Sequence, residues 1–142
     1  MFLFRRTQVD GRWRIRAMCE RLRASFRENN PEARGRKLLR EWLSFEQLEQ
    51  FNADGFFDVI GCDTGRRYRI YYGSVANIDE LDHHDRPLIT FCFVPKTPLV
   101  PGDIMLAQKI ALETDERSAL AVANRFKPRS RPRSPSALMP LC

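Results

Sequence analysis

Between Phe56 and Val94 the chain reads FFDVIGCDTGRRYRIYYGSVANIDELDHHDRPLITFCFV, a series of short strand-like runs separated by turn residues. Four runs fit the pattern: Phe56–Ile60, Arg67–Tyr72, Val75–Asp79 and Leu88–Val94. No gap between them is long enough for a parallel crossover, so the strands are expected to form an antiparallel meander in chain order. Leu88–Val94 is apolar on both faces, with Ile89, Phe91 and Phe93 against Leu88, Cys92 and Val94. That suits a central strand covered on both sides.

The flanks read as helices. From Arg12 to Glu28 the apolar positions Ile15, Met18, Cys19, Leu22 and Phe26 recur at helical spacing. Arg12, Arg14, Arg16, Arg21, Arg23 and Arg27 border that stripe. Such a border suits a membrane-surface helix, and equally a helix whose arginine stems cover the edge of a core. Trp13 is the sole interfacial aromatic near the helix start, which favours the second reading. Asn30-Pro31 opens a helix to about Trp42, with Leu38, Leu39 and Trp42 expected to face inward. Ser44-Phe-Glu-Gln47 is a capping box for a short helix to about Asn52, expected to bury Phe45, Leu48 and Phe51. After Pro95–Pro101, Asp103 is expected to cap a long helix from Ile104 to about Arg125. Lys109, Glu113, Glu116 and Arg117 would be its polar stripe, and Thr114-Asp115 a place where it could break.

Charge divides the chain into three. Residues 1–44 carry 12 Arg/Lys against 5 Asp/Glu, residues 45–126 carry 8 against 13, and residues 127–142 carry 4 against none. The basic ends on an acidic body suggest nucleic acid, an anionic membrane or an acidic protein as partner. No apolar run approaches the roughly 20 residues of a membrane span. Cys19, Cys62, Cys92 and Cys142 share no short spacing, so they read as reduced thiols of a cytoplasmic protein. The organisation expected is a basic arm over 1–37, an α+β core over 38–126 and a disordered Pro/Arg tail over 127–142, with residues 1–11 loose.

Chemistry could sit in three places. Asp63-Thr64-Gly65 matches the active-site tripeptide of retropepsin-like aspartic proteases, in which two aspartates share a proton. Here Arg66-Arg67 follows in place of a small residue, and Val59-Ile60-Gly61 precedes the motif instead of lying downstream. A hairpin turn accounts for the tripeptide more simply. Cys62, His83, His84 and Cys92 could be drawn together as a metal site, but their spacing matches no short ligand pair, and no cofactor or metal is expected. Arg66, Arg67, Arg69 and Tyr71 form the binding constellation. Arg67, Arg69 and Tyr71 would share one strand face, where Arg meets phosphate and an aromatic stacks on a base. The competing account pairs this face with Asp58 on the neighbouring strand.

The pattern G-x-D-T-G-R-R-Y-R-I-x-x-G-x-x-x-N-I-x-E-L-D, then C-F-x-P, then G-D-I-M-L-A-Q-K-I-A-L-E-T, resembles a family of small bacterial and phage-type proteins. The resemblance spans about Leu38 to Phe126 and implies no activity or catalytic residue. The sequence therefore leads to an α+β fold: N-terminal helices, a four-stranded antiparallel meander and a long C-terminal helix packed on the sheet. Its first functional reading is a non-catalytic module associated with nucleic acid or nucleoprotein. A protein-interaction or assembly subunit comes second, and a hydrolase or metal-dependent enzyme last.

Overall fold

The computed structural model describes residues 16–24, 30–128 and 131. A helix over residues 16–24 (α1) is followed by helices α2 (Pro31–Trp42) and α3 (Phe45–Asp54). Strands β1 (Phe56–Ile60), β2 (Arg67–Tyr71), β3 (Ile78–Leu81) and β4 (Pro87–Cys92) come next. Helices α4 (Pro101–Thr114) and α5 (Glu116–Val122) and strand β5 (Asn124–Phe126) complete the order. The expectations of a loose start over 1–11, of helix over 12–15 and 25–28, and of disorder over 129–130 and 132–142 within the 127–142 tail lie outside the described residues. The arm–core boundary drawn at residue 37 falls inside α2.

The strands form one antiparallel sheet in the order β1-β2-β3-β4-β5. Its fifth strand corrects the expected four. The expected single helix to about Arg125 breaks at Asp115, whose φ of −152° and ψ of 63° are not helical. The Asp115 carboxylate then caps α5 by accepting from the Ser118 N–H at 3.3 Å. After Val122 the chain turns extended, and Asn124–Phe126 pairs with the outer side of β4. Asp103 is not the cap of α4 either. The helix begins at Pro101, where a missing N–H costs nothing, and Asp103 lies in its first turn.

The other caps follow the sequence. The Asn30 side chain accepts from Glu32 N–H at 3.1 Å. Ser44 and Gln47 exchange both bonds of a capping box. Gly55 ends α3 at φ 74°, a conformation that costs glycine nothing.

The core lies between one sheet face and the helices. Phe57, Val59, Tyr68, Ile70, Ile78 and Phe91 point into it from the strands, and Leu39, Phe51, Met105 and Leu112 meet them from α2, α3 and α4. Helices α2 and α4 cross at a glycine pair. A Cβ on Gly102 would stand 2.4 Å from the Gly35 carbonyl carbon, and one on Gly35 would stand 2.7 Å from Val100 Cγ2. Only glycine lets the two backbones come this close. Their contact fixes the rotation of α2: the face carrying Gly35 and Leu39, four residues apart, is buried. Leu38 and Trp42 are turned outward, against the expectation that they face the core. Phe45, also expected inside, is exposed at the start of α3.

At the outer edge of the sheet, the Asp58 backbone N–H donates to Gln50 Oε1 and its carbonyl accepts from Gln47 Nε2, both at 2.9 Å. Two side chains from α3 thus take the place of a further strand. No described helix is long and apolar enough to cross a membrane.

Candidate functional site

The outward face of the sheet carries Arg67, Arg69 and Tyr71 of the positions that the sequence singles out, while Arg66 lies just before β2. Register places Arg69 between Asp58 on β1 and Asp79 on β3, and Tyr71 opposite Phe56. Arg67, Arg69 and Tyr71 do share this face, but intramolecular partners take all of them. Arg69 grips Asp58 with two bonds, Nε–H to Oδ1 at 2.7 Å and Nη2–H to Oδ2 at 3.0 Å. Its guanidinium also lies 4.2 Å from the Phe56 ring centroid. Burial opposes the charge on Arg69, yet the bond to and charge of Asp58 outweigh it and raise the pKa of the guanidinium.

Arg67 pairs with Asp85 and donates to the Asp82 carbonyl at 3.2 Å. Arg66 approaches the buried Glu80 carboxylate at 3.4 Å. Arg131, the one described residue between Pro128 and the C-terminus, donates to Asp79 at 3.1 Å and lies 4.0 Å over the Tyr71 ring. Thr90 also donates to Asp79 at 2.6 Å. Burial and the nearby Asp79 charge push the Tyr71 hydroxyl up. Arginine and aspartate alternate across the strands, and separate ion pairs, Arg69 with Asp58, Arg131 with Asp79 and Arg67 with Asp85, occupy this face.

The Asp63-Thr64-Gly65 loop closes around a residue that the sequence placed on a polar outer stripe. Glu116 is fully buried, which corrects that expectation. The backbone N–H groups of Asp63 and Thr64 both donate to its Oε2 at 2.8 Å. The hydroxyls of Thr64 and Tyr68 donate to its Oε1, the latter at 2.6 Å. Burial alone would favour the neutral acid, but these four donors hold the Glu116 carboxyl below its ordinary value. Burial and the same carboxylate drive the Tyr68 hydroxyl up.

Asp63 accepts from the Arg117 N–H at 3.0 Å, so its carboxylate serves the start of α5. Gly61 is needed for space, since a Cβ there would stand 2.3–2.4 Å from the Glu116 carboxylate. The tripeptide is thus a clasp joining the β1–β2 loop to α5. Ligand atoms of Cys62, Asp63 and Glu116 lie within 4.8 Å of one another. These donors occupy the roughly four lone-pair sites of the Glu116 carboxylate, so a metal there would have to displace at least one of them.

The other metal set does not assemble. Cys62 and the histidine pair His83–His84 lie in loops at one end of the sheet, and buried Cys92 ends β4 at the other. In the 82–86 loop, backbone N–H groups of Arg86 and His84 and the Arg86 side chain bind Asp82, lowering its pKa to about 2. Sequence reasoning also missed a buried amide pair, in which Asn77 and Gln108 exchange bonds of 2.9 and 2.8 Å between the β2–β3 loop and α4.

Apolar surface is open elsewhere. At the corner where α2 meets α3, Trp42 is 60% and Phe45 76% exposed, with Leu38 beside them at 43%. On α1, Met18 is 60% and Leu22 49% exposed. The stripe expected to lie on a core therefore faces outward over the described part of that helix. Compared with protein-family models, curated proteins and solved structures, the chain matches none.

Proposed function

We propose that this chain is a non-catalytic protein-interaction or assembly subunit, working in the cytoplasm, that meets its partner through helical surfaces. The observation that carries the reading is the exposure of Trp42 and Phe45, three residues apart in the chain where α2 gives way to α3. Exposed tryptophan and its aromatic neighbours are the side chains that dominate binding energy in interfaces. Each buries roughly 150–250 Å² when covered. The free thiols Cys19, Cys62 and Cys92 accord with a reducing compartment.

Nucleic-acid contact through Arg66, Arg67, Arg69 and Tyr71 ranks second. Arg66, with more than half of its side chain exposed, is the member most open to a phosphate. Phosphate contact at Arg69 would have to break its double bond to Asp58. The test is a photo-crosslinking amino acid at position 42 in the full chain, activated in cells. Discrete protein adducts support the interaction reading. Adducts to nucleic acid alone, or none at all, would reject it.

A further inference from the structure

We infer that the partner is a second copy of this chain, with α1 of one molecule lying across the α2–α3 corner of the other. The inference rests on the interaction reading above and names the partner. Three observations converge on it.

The first is apolar fit. Met18 and Leu22 stand four residues apart on α1, as do Leu38 and Trp42 on α2, and all four are exposed. Equal spacing of about 6 Å along two helices lets antiparallel stripes stack pair against pair, Leu22 on Leu38 and Met18 on Trp42. Phe45 extends the platform beyond the end of α2.

The second is charge. Arg16, Arg21 and Arg23 flank the α1 stripe, and Glu41, Glu46 and Glu49 surround the corner. All six are exposed, and none forms an ion pair with another described residue. The acidic surplus belongs to α3 and the body, 8 basic to 13 acidic over residues 45–126, while α2 itself also carries exposed Arg34, Lys37 and Arg40. The arginines of α1 on one chain are complementary to Glu41, Glu46 and Glu49 on another.

The third is symmetry. The chain's own α1 leaves its stripe exposed and the corner uncovered. A two-fold exchange of α1 between two copies covers both at once and makes each contact twice. The second contact then forms within the pair, at the high effective concentration of a tethered group.

Sedimentation equilibrium of the full chain over the micromolar range tests this. A dimer is expected, and Leu22→Glu and Trp42→Glu should each leave a monomer. Both positions are exposed, so circular dichroism should stay as in the parent, and the variants' thermal midpoints should match that of the parent diluted to monomer, since a dimer stabilises its folded state by mass action. Mixing the two variants is the decisive arm. The Trp42→Glu chain still offers an intact α1 and the Leu22→Glu chain an intact corner, so the mixture should regain a heterodimer through one sound contact. A monomer at every concentration would overturn the inference, as would a dimer indifferent to both variants or a mixture that stays monomeric. If the purified chain is a monomer while position 42 crosslinks to a different protein in cells, the second-copy partner falls and the interaction reading stands. If position 42 crosslinks to no protein at all, both fall.

Discussion

The outward sheet face and the α2–α3 corner reverse each other's roles. On the sheet face, arginines and a tyrosine of the kind that recognise ligands are spent on the molecule itself, Arg69 on Asp58 and Arg131 on Asp79 and Tyr71. At the corner, a tryptophan and a phenylalanine of the kind that fill cores are left in solvent. The difference teaches that residue type alone does not separate structural from binding surface. What separates them is whether each group's physical demand, a counter-charge or an apolar cover, is already met within the chain.

The strongest way to break this comparison is at its most satisfied polar group. Glu116→Gln leaves one acceptor oxygen for four donors and turns an NH2 group toward the others. It should cost about 3–5 kcal/mol, the scale for breaking a buried charged network, measured by urea unfolding. The pH dependence follows from the same carboxylate. Its folded pKa is depressed, so its stabilisation is fully present above the unfolded value of 4.5 and is lost as pH falls through the folded one. Asp82 acts in the same direction, its contribution fading as pH drops toward about 2. Thermal midpoints should fall with acid below about pH 4.5, and Glu116→Gln should flatten that slope.

Gly102→Ala comes next. Its methyl would collide with backbone at Gly35, so the crossing of α2 and α4 must open, at about 1–3 kcal/mol. The corner should shift with it, since this crossing sets the rotation of α2. Arg69→Ala strands Asp58 on a half-buried face and should cost about 1.5–3 kcal/mol, the range for hydrogen bonds to charged groups. A loss of nucleic-acid affinity with unchanged stability would instead show that Arg69 serves a ligand. The smallest effect belongs to the corner. Measured in the dissociated monomer, Trp42→Ser should change unfolding free energy by no more than about 0.5 kcal/mol, the range of a surface site. A large loss there would mean that Trp42 belongs to the core after all.

Much of the sheet was legible because period-2 alternation and turn residues leave little choice. β1 and most of β2 fall where the pattern puts them, and β3 starts three residues and ends two residues later than expected, toward its hairpin. Helix starts were legible where a side chain closes the first turn, as at Asn30 and Ser44. Helix facing was not. Leu38, Leu39 and Trp42 make a stripe wide enough to be buried in more than one rotation, and the choice is made by contact between Gly35 and Gly102, 67 positions apart. β5 was missed because three residues, Asn124–Phe126, carry no period and are ordered by pairing with β4.

The candidate site divides in the same way. Alternation put Arg67, Arg69 and Tyr71 on one face, but register is needed to see that Asp58 and Asp79 lie opposite Arg69. Glu116 was misread because a charged residue amid polar neighbours looks solvated. The loop that satisfies it is 52 and 53 residues away at Thr64 and Asp63.

The glutamines that seal β1 have a consequence for how this protein can assemble. A free strand edge is a template onto which any extended chain can add, with fibrous aggregation at the extreme. Gln47 and Gln50 occupy the central rungs of that template, and at the opposite edge β5 is three residues long with Pro128 close behind. Strand addition is thus hindered at both margins, and among the described residues the open apolar surface for bringing copies together lies chiefly on helices. Whether such a helical contact closes is set by its symmetry, a two-fold exchange closing where a head-to-tail repeat would not.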